Sequence, residues 1–127
     1  MKEHHLEDAC LEWLANTGWA IAEGEAVAPG GEMGVRDRWS DVVLAPRLRE
    51  ATIRLNPQLP ASDVDAVVMK IAGYGHQSLV DGNRELYDWL RNGVPLECNA
   101  SDGRREVLRV PVIDTDDHND LLAVISQ

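Results

Sequence analysis

The densest group of chemically active side chains lies near the carboxyl end of the chain. The run D-T-D-D-H-N-D, from Asp114 to Asp120, offers carboxylates and an imidazole as ligands for a divalent cation. The same residue types also favour a turn, because Asp and Asn side chains hydrogen-bond to the nearby backbone. The run lacks the spacing and the closing Glu of a calcium-binding loop. We therefore interpret it as a turn and keep Asp114, Asp116 and Asp117 as candidate metal ligands in the alternative.

The lysines decide whether the chain could hydrolyse phosphodiesters by itself. In one large class of metal-dependent nucleases, acids hold the metal and the Lys of an acid-x-Lys pair orients or activates water. The chain has two lysines, Lys2 and Lys70, and the residue two positions before Lys70 is Val68. No acid-x-Lys pair therefore exists in this sequence, and we expect no complete catalytic site of this class in the chain.

Other catalytic chemistries find no support in the sequence. There is no G-x-S-x-G elbow for a serine nucleophile and no G-x-x-x-x-G-K-[ST] loop for a nucleotide. Gly73-Tyr74-Gly75 is too short for a dinucleotide fingerprint. Cys10 and Cys98 form no C-x-x-C pair, so buried reduced thiols are favoured over a disulfide or a zinc site.

The charge is distributed unevenly along the chain. The net charge of −10 argues at first against a nucleic-acid partner, since phosphate binding depends on Lys and Arg. The acids gather in residues 1–35 and 114–127, whereas residues 36–113 are neutral and contain ten arginines. This middle region could carry a local basic patch, although a solvated face of mixed charge is the favoured interpretation.

Length and composition predict one globular domain, residues 1–127. Apolar residues make up 44% of the 127 residues and charged residues 27%, which is ordinary for a folded protein. No apolar run approaches the roughly 20 residues that cross a bilayer, and the first residues lack the apolar stretch of a signal peptide. We expect a cytoplasmic protein with no membrane association.

The first half of the sequence predicts mainly helices to position these side chains. Apolar residues recur at helical spacing over 4–16, with Gly18 placed to end that helix. A short strand is predicted at 19–22, then a mobile loop over 24–34 that holds Glu25 and Glu32. The next helix, which ends near Leu55, must begin at or kink near Pro46.

Two further helices and a sheet are predicted from the connector at 56–60 onward. Ser62 and Asp65 resemble a capping box ahead of the stripe Val64, Val67, Val68 and Ile71. Asp81 could cap the following helix, which closes at Asn92-Gly93. The segments 94–98, 107–113 and 121–125 then predict an antiparallel meander. The expected fold class is α+β, a helical front half packed on an antiparallel or mixed sheet.

Four segments in order resemble the N-terminal domain of the R (restriction and motor) subunit of type I restriction endonucleases. The first segment, Leu6-Glu7-Asp8-Ala9 with Leu14 and Gly18-Trp19, resembles the family's opening helix and its G-W pair. The second, Leu55-Asn56-Pro57 with Leu59-Pro60, follows the helix from Leu48 and resembles the family's L-N-P…L-P. The third segment, Asn83-Arg84 with Leu90 and Gly93-Val94, resembles the family's N-R…L-x-x-G-V. The fourth, Ile113-Asp114 with Asn119-Asp120-Leu121 and residues 124–127, resembles its I-D…N-D-F…Q. The sequence departs from the pattern at Pro46, Thr115 and Leu121.

This resemblance implies a parent protein much larger than the chain. It implies a partial restriction-endonuclease-like P-D…(D/E)-x-K nuclease fold, with the P-D and E-x-K segments expected beyond residue 127 and ATP-driven translocase domains after them. Mg²⁺ would serve the nuclease and ATP the motor, with DNA and the modification and specificity subunits as partners. The family's first-helix Glu, sometimes close to the metal, maps onto Glu7. A solvated helix acid is the favoured alternative for that residue.

Two hypotheses follow for function. The first is an N-terminal fragment of a type I restriction-modification R subunit whose parent cleaves DNA with ATP-dependent translocation, the fragment alone being inactive. The alternative is a small acidic non-enzymatic binding protein, such as a DNA mimic, motivated by the net charge of −10. A mimic should spread its acids over one face, whereas here they gather toward the termini.

Overall fold

The computed structural model describes residues 3–73, 79–99, 102–116 and 119–125. Within them the order of elements is helical first and strand-rich later, which confirms the α+β class. The elements are α1 (Glu3–Asn16), β1 (Ala20–Glu23), α2 (Gly24–Val27), α3 (Ala45–Leu55), α4 (Ala61–Ala72), α5 (Leu79–Asn92), β2 (Val94–Asn99), β3 (Arg105–Val110) and β4 (Leu122–Ile125). No helix among the described residues is long and apolar enough to cross a membrane.

The helix boundaries confirm several predictions. Gly18 follows α1 with φ of 100°, in the left-handed region where glycine carries no steric penalty. Pro46 lies in the first turn of α3, where its missing N–H breaks no helical hydrogen bond. The predicted stripe of α4 is buried, with Val67 fully buried at its centre. Helical periodicity therefore located the buried face of α4 correctly.

The predicted caps were wrong. Pro60 precedes α4 with no side-chain cap, so Ser62 lies inside the helix. Asp65 instead accepts a hydrogen bond from Arg49 Nε on α3 at 2.8 Å. Asp81 also lies inside its helix, because α5 already includes Leu79. Both helices therefore include residues before the polar residue that was expected to cap them. The expected loop at 24–34 likewise begins with the short helix α2.

The described residues group into two compact units. The first comprises residues 3–41 with 119–125, and the second runs from Val42 to the described end at residue 116. In the second unit, β2 and β3 form the predicted antiparallel hairpin, in the register Val94 opposite Val110. Its buried cluster joins residues of helices, of strands and of the segment after β3: Val67, Ile71, Trp89, Val94, Leu96, Val110 and Val112. That a single domain covers residues 1–127 stays a prediction.

The third strand of the predicted meander is present, but the prediction of its pairing partner was wrong. β4 pairs in parallel with β1, in the register Ala20 opposite Leu122, within the first unit. Pro111 follows β3 directly and has no N–H to continue the antiparallel ladder. The alternation of apolar residues identifies a strand but carries no information on its partner, which is why this pairing was not foreseen.

The two cysteines are both free thiols, but only one is shielded. Cys10 is exposed on α1 and Cys98 is half-buried on β2. The expected burial of Cys10 was wrong because α1 has no buried residue at all.

Candidate functional site

The main candidate site is a cleft of about 710 Å³ in the second unit. It lies where the carboxyl ends of α3 and α5 meet the segment that follows β3. The lining consists of Arg54, Leu55, Leu90, Arg91, Asn92, Gly93, Pro111, Ile113, Asp114 and Thr115. Three of the four segments that carry the resemblance thus contribute to one cleft.

Asn56 joins two walls of this cleft. Its side chain is buried, and its Nδ2 donates to the carbonyl of Thr52 on α3 and to the carbonyl of Pro111 after β3, each at 2.9 Å. Both amide protons therefore satisfy backbone carbonyls, one of them 55 residues away in the chain. The asparagine of the L-N-P segment has a structural role that fixes the cleft.

Gly93 lets the end of α5 approach β3 closely. Its φ is 95°, and a Cβ at this position would lie 3.0 Å from the carbonyl carbon of Arg109 and from the backbone nitrogen of Val110. Its N–H donates to the carbonyl of Trp89 at 2.9 Å. Both the conformation and the space require glycine here.

Asp88 and Arg109 form a second link between α5 and β3. Asp88 accepts hydrogen bonds from Asn92 Nδ2 at 2.7 Å and from Arg109 Nη1 at 3.0 Å. These two hydrogen bonds, first that of Asn92 and then that of Arg109, lower the pKa of the Asp88 carboxyl. The same Arg109 Nη1 donates to the carbonyl of Gly93 at 3.1 Å, so the three groups hold the cleft wall together.

Arg54 and Arg91 are the cations of the cleft lining, and both are exposed. Each lies in the last turn of its helix. Within the part of the chain that the structure describes, neither guanidinium has an ion pair or a hydrogen bond. By contrast, Arg49 lies 2.8 Å from Asp65 and Arg104 lies 2.7 Å from Asp102. Several arginines of the middle region therefore lie against acids, whereas Arg54 and Arg91 form a local cationic pair at this cleft.

The acidic run at 114–120 has the geometry of a turn where it is described. Asp114 Oδ1 accepts the N–H of Asp116 at 2.9 Å, the local bond expected of an Asp in a turn. Asp117 and His118 lie outside the described residues. In the described ranges, no three His, Cys, Asp or Glu residues are grouped so that they could hold a metal ion. A metal role for Asp114, Asp116 and Asp117 stays a prediction.

The other singled-out residues lie elsewhere. Glu7 is half-buried on α1 of the first unit. Glu25 and Glu32 line a separate cleft of about 510 Å³ in that unit, together with Glu23. The ammonium of Lys70 donates to the carbonyl of Pro95, which ties α4 to β2. Lys70 thus links two elements at the surface of the second unit.

The sequence reasoning did not single out Arg54 and Arg91. A signal was present, because Arg54 directly precedes Leu55-Asn56-Pro57 and Arg91 lies inside the segment from Leu90 to Val94. Which motif neighbours share a surface could be known only after the helix ends had been placed side by side.

Comparisons with known proteins agree with the resemblance. The profile of the family described as type I restriction enzyme R protein N terminus matches residues 1–125. The chain is also 33% identical over 114 residues to the type I restriction enzyme HindI endonuclease subunit of Haemophilus influenzae strain Rd, covering 90% of the chain and 11% of that relative. No solved structure matches the chain. Since the profile spans nearly every residue, the chain belongs to the family of type I restriction enzyme R protein N termini.

Proposed function

We propose that this chain is the N-terminal part of an R subunit whose parent protein cleaves DNA endonucleolytically, with Mg²⁺ for cleavage and ATP for translocation. The observation that carries the proposal is the family profile over residues 1–125. The relative's name supports it, since that protein is an endonuclease subunit. The chain spans 11% of that relative's length, so these activities are proposed for the parent.

Within the parent, the chain supplies scaffold and not the catalytic pair. Its lysines are Lys2 and Lys70, no acid stands two residues before either, and the Lys70 ammonium is engaged by Pro95. Among the described residues, no three His, Cys, Asp or Glu side chains are grouped so that they could hold a metal ion. The acid-x-Lys residues of the proposed P-D…(D/E)-x-K nuclease fold are therefore contributed by another part of the parent, beyond residue 127 of this numbering.

The proposed partners follow from the parent's activity. They are DNA and the modification and specificity subunits, while ATP belongs to the motor domains of the parent. A cytoplasmic location is part of the same proposal. The acidic mimic is not favoured, because the chain belongs to the R-protein family and several arginines of its middle region contact acids.

A plasmid assay tests this proposal. We expect the 127-residue chain with Mg²⁺ to leave supercoiled plasmid intact, with or without ATP. The full R subunit, assembled with its modification and specificity subunits, should linearise an unmodified plasmid only when Mg²⁺ and ATP are both present. An R subunit that lacks residues 1–127 should not cut. Mg²⁺-dependent nicking by the chain alone would contradict the proposed division of labour.

We propose that Glu7 of the first helix lies near the parent's metal. The support is its match to the family's first-helix Glu and its half-buried position on α1. We expect Glu7→Gln in the full R subunit to slow plasmid cleavage at least tenfold, whereas Glu12→Gln, an exposed acid of the same helix, should not. Equal activity of the two variants would assign Glu7 to the solvated surface.

A further inference from the structure

We propose that the cleft lined by Arg54 and Arg91 binds the phosphodiester backbone of DNA. The inference rests on the proposed function, because it names the part of this chain that contacts the parent's substrate. It concerns positioning of the duplex and not the chemical step.

The two guanidinium groups of the cleft are exposed and without an acidic partner among the described residues. Arg54 from α3 and Arg91 from α5 line the same cleft and lack an ion pair among the described residues. A favourable interaction with the helix dipole explains an Arg in a last turn, but it does not require two such residues to share a cleft. Guanidinium groups match phosphate geometry with paired N–H donors.

The remaining lining fits a sugar-phosphate chain. Thr115 adds an exposed hydroxyl, a group that often donates to phosphate oxygens. The exposed side chains of Leu90 and Ile113 add apolar surface to the lining, against which the sugar of a nucleotide can pack. The lining therefore combines two cations, a neutral donor and apolar side chains.

Asp114 sets the strength of the site. It is the acid of the lining, and its Oδ1 is held by the N–H of Asp116. Two guanidinium groups against one carboxylate leave the lining with a net positive charge. In a chain whose net charge is −10, such a local excess directs an anion to this place. Asp114→Asn keeps an acceptor for the turn and removes the negative charge, so it should tighten binding.

The walls of the cleft are fixed before any ligand binds. Asn56 ties α3 to Pro111, and Arg109 joins Asp88 on α5 to the Gly93 carbonyl. None of these bonds uses Arg54 or Arg91. A variant that removes both cations should therefore leave the fold intact, which makes the proposal open to a clean test.

Fluorescence anisotropy with a labelled duplex of about 20 base pairs tests the proposal at low salt and over a salt series. We expect Arg54→Gln/Arg91→Gln to weaken binding by the 127-residue chain at least tenfold and to lower the slope of log K against log salt by about two. The matched control, Arg104→Gln/Arg105→Gln, removes two cations that lie against Asp102 and Glu97, and it should change affinity less than twofold. Asp114→Asn should bind more tightly than the wild type.

Three results would overturn the proposal: no binding by the wild-type chain, unchanged binding by the cleft variant, or an equal loss in the control. A second measurement uses the wild-type chain alone and therefore does not depend on whether the variants fold. In NMR titration of the wild-type chain, the Nε–Hε signals of Arg54 and Arg91 should shift more than those of Arg104 and Arg105. Shifts confined to Arg104 and Arg105 would also refute the site.

The plasmid assay keeps this proposal separate from the proposed function. If the full R subunit cuts DNA while the cleft variant binds and cuts as the wild type does, only the cleft assignment fails. If the assembled full subunit does not cut, the proposed function fails, whatever the chain's affinity for a duplex. The cleft could instead accept an acidic peptide of the parent. In that case the labelled duplex would give no change in anisotropy, and this result counts against the proposal.

Discussion

At the scale of single residues, the structure gives a physical reason for the residue type at two motif positions, Asn56 and Gly93, which the sequence alone did not give. Asn56 is buried and satisfies carbonyl groups of Thr52 and Pro111. Gly93 has a positive φ and lies against the backbone between Arg109 and Val110. Asn56 shapes the cleft through its buried side chain, and Gly93 shapes it through its backbone. The residues beside them, Arg54 and Arg91, carry the charge.

Replacing Gly93 and comparing it with Gly103 separates two costs to stability, that of a disfavoured φ and that of steric crowding. We expect Gly93→Ala to lower the free energy of unfolding by about 3 kcal/mol, because alanine would need a disfavoured φ and would collide with the backbone of β3. Gly103 also has positive φ, but a Cβ there meets nothing within 4 Å, so Gly103→Ala should cost about 1 kcal/mol. Urea unfolding measures both values. Equal losses would show that crowding at Gly93 is relieved by small shifts.

The lowered pKa of Asp88 predicts a pH-dependent contribution to stability. The folded pKa lies below the unfolded value of about 3.9, so the stabilisation is fully present above that value and is lost as pH falls through the folded pKa. We expect Asp88→Asn to be less stable than the wild type at pH 7. This gap in stability should begin to narrow once the pH falls below about 4, and it should disappear only below the folded pKa. Unfolding curves at pH 7, 5 and 3 measure it, and a gap that widens with acid would contradict the assignment.

At the scale of elements, α4 is the helix whose packing follows most directly from its sequence. Its apolar stripe is buried, and Val67 lies at the centre of the cluster formed with the β2–β3 hairpin. The exposed ion pair between Arg49 and Asp65 adds a contact between α3 and α4, but such pairs contribute little in water. Apolar burial is therefore the main force that holds this layer.

Truncating Val67 measures that force. We expect Val67→Ala to lower the free energy of unfolding by about 2 kcal/mol through lost apolar burial and a residual cavity. Val42, which is 89% exposed, is the matched control, and Val42→Ala should change stability by less than about 0.5 kcal/mol. Chemical denaturation compares them. A loss at Val42 as large as that at Val67 would mean that the exposed residue is covered in solution.

Elements were more predictable than their contacts. Periodicity located the buried face of α4, and Pro46 located the start of α3, because both depend on local geometry. The caps at Ser62 and Asp81 failed because a polar residue inside a helix and one at its start look alike in sequence. The partner of β4 and the meeting of Arg54 with Arg91 depend on tertiary packing. The candidate site was therefore foreseen only as motif segments.

At the scale of the whole molecule, burial differs strongly between the two units. The second unit contains the large buried cluster, whereas α1 in the first unit has no buried residue. Hydrogen bonds inside a well-packed cluster open only with extensive unfolding, whereas those of an exposed helix open locally. The two units should therefore differ in local stability.

Native-state hydrogen exchange checks this difference. We expect the amides of α4 and β2 to exchange slowest and those of α1 to exchange fastest among the helices longer than one turn. Val67→Ala should speed exchange in α4 and β2 and leave α1 nearly unchanged. Slow exchange in α1, comparable with that of α4, would show that the helix is protected by contacts absent from the monomer.

The parallel pairing of β1 with β4 has a consequence for biosynthesis. Ala20 lies opposite Leu122, so the partner of β1 emerges from the ribosome about a hundred residues after it. The β2–β3 hairpin closes within a few residues of its own synthesis, but β1 must wait. During translation its unpaired backbone is open to other strands and to chaperones, which makes this segment a point where a nascent chain is exposed to misassembly.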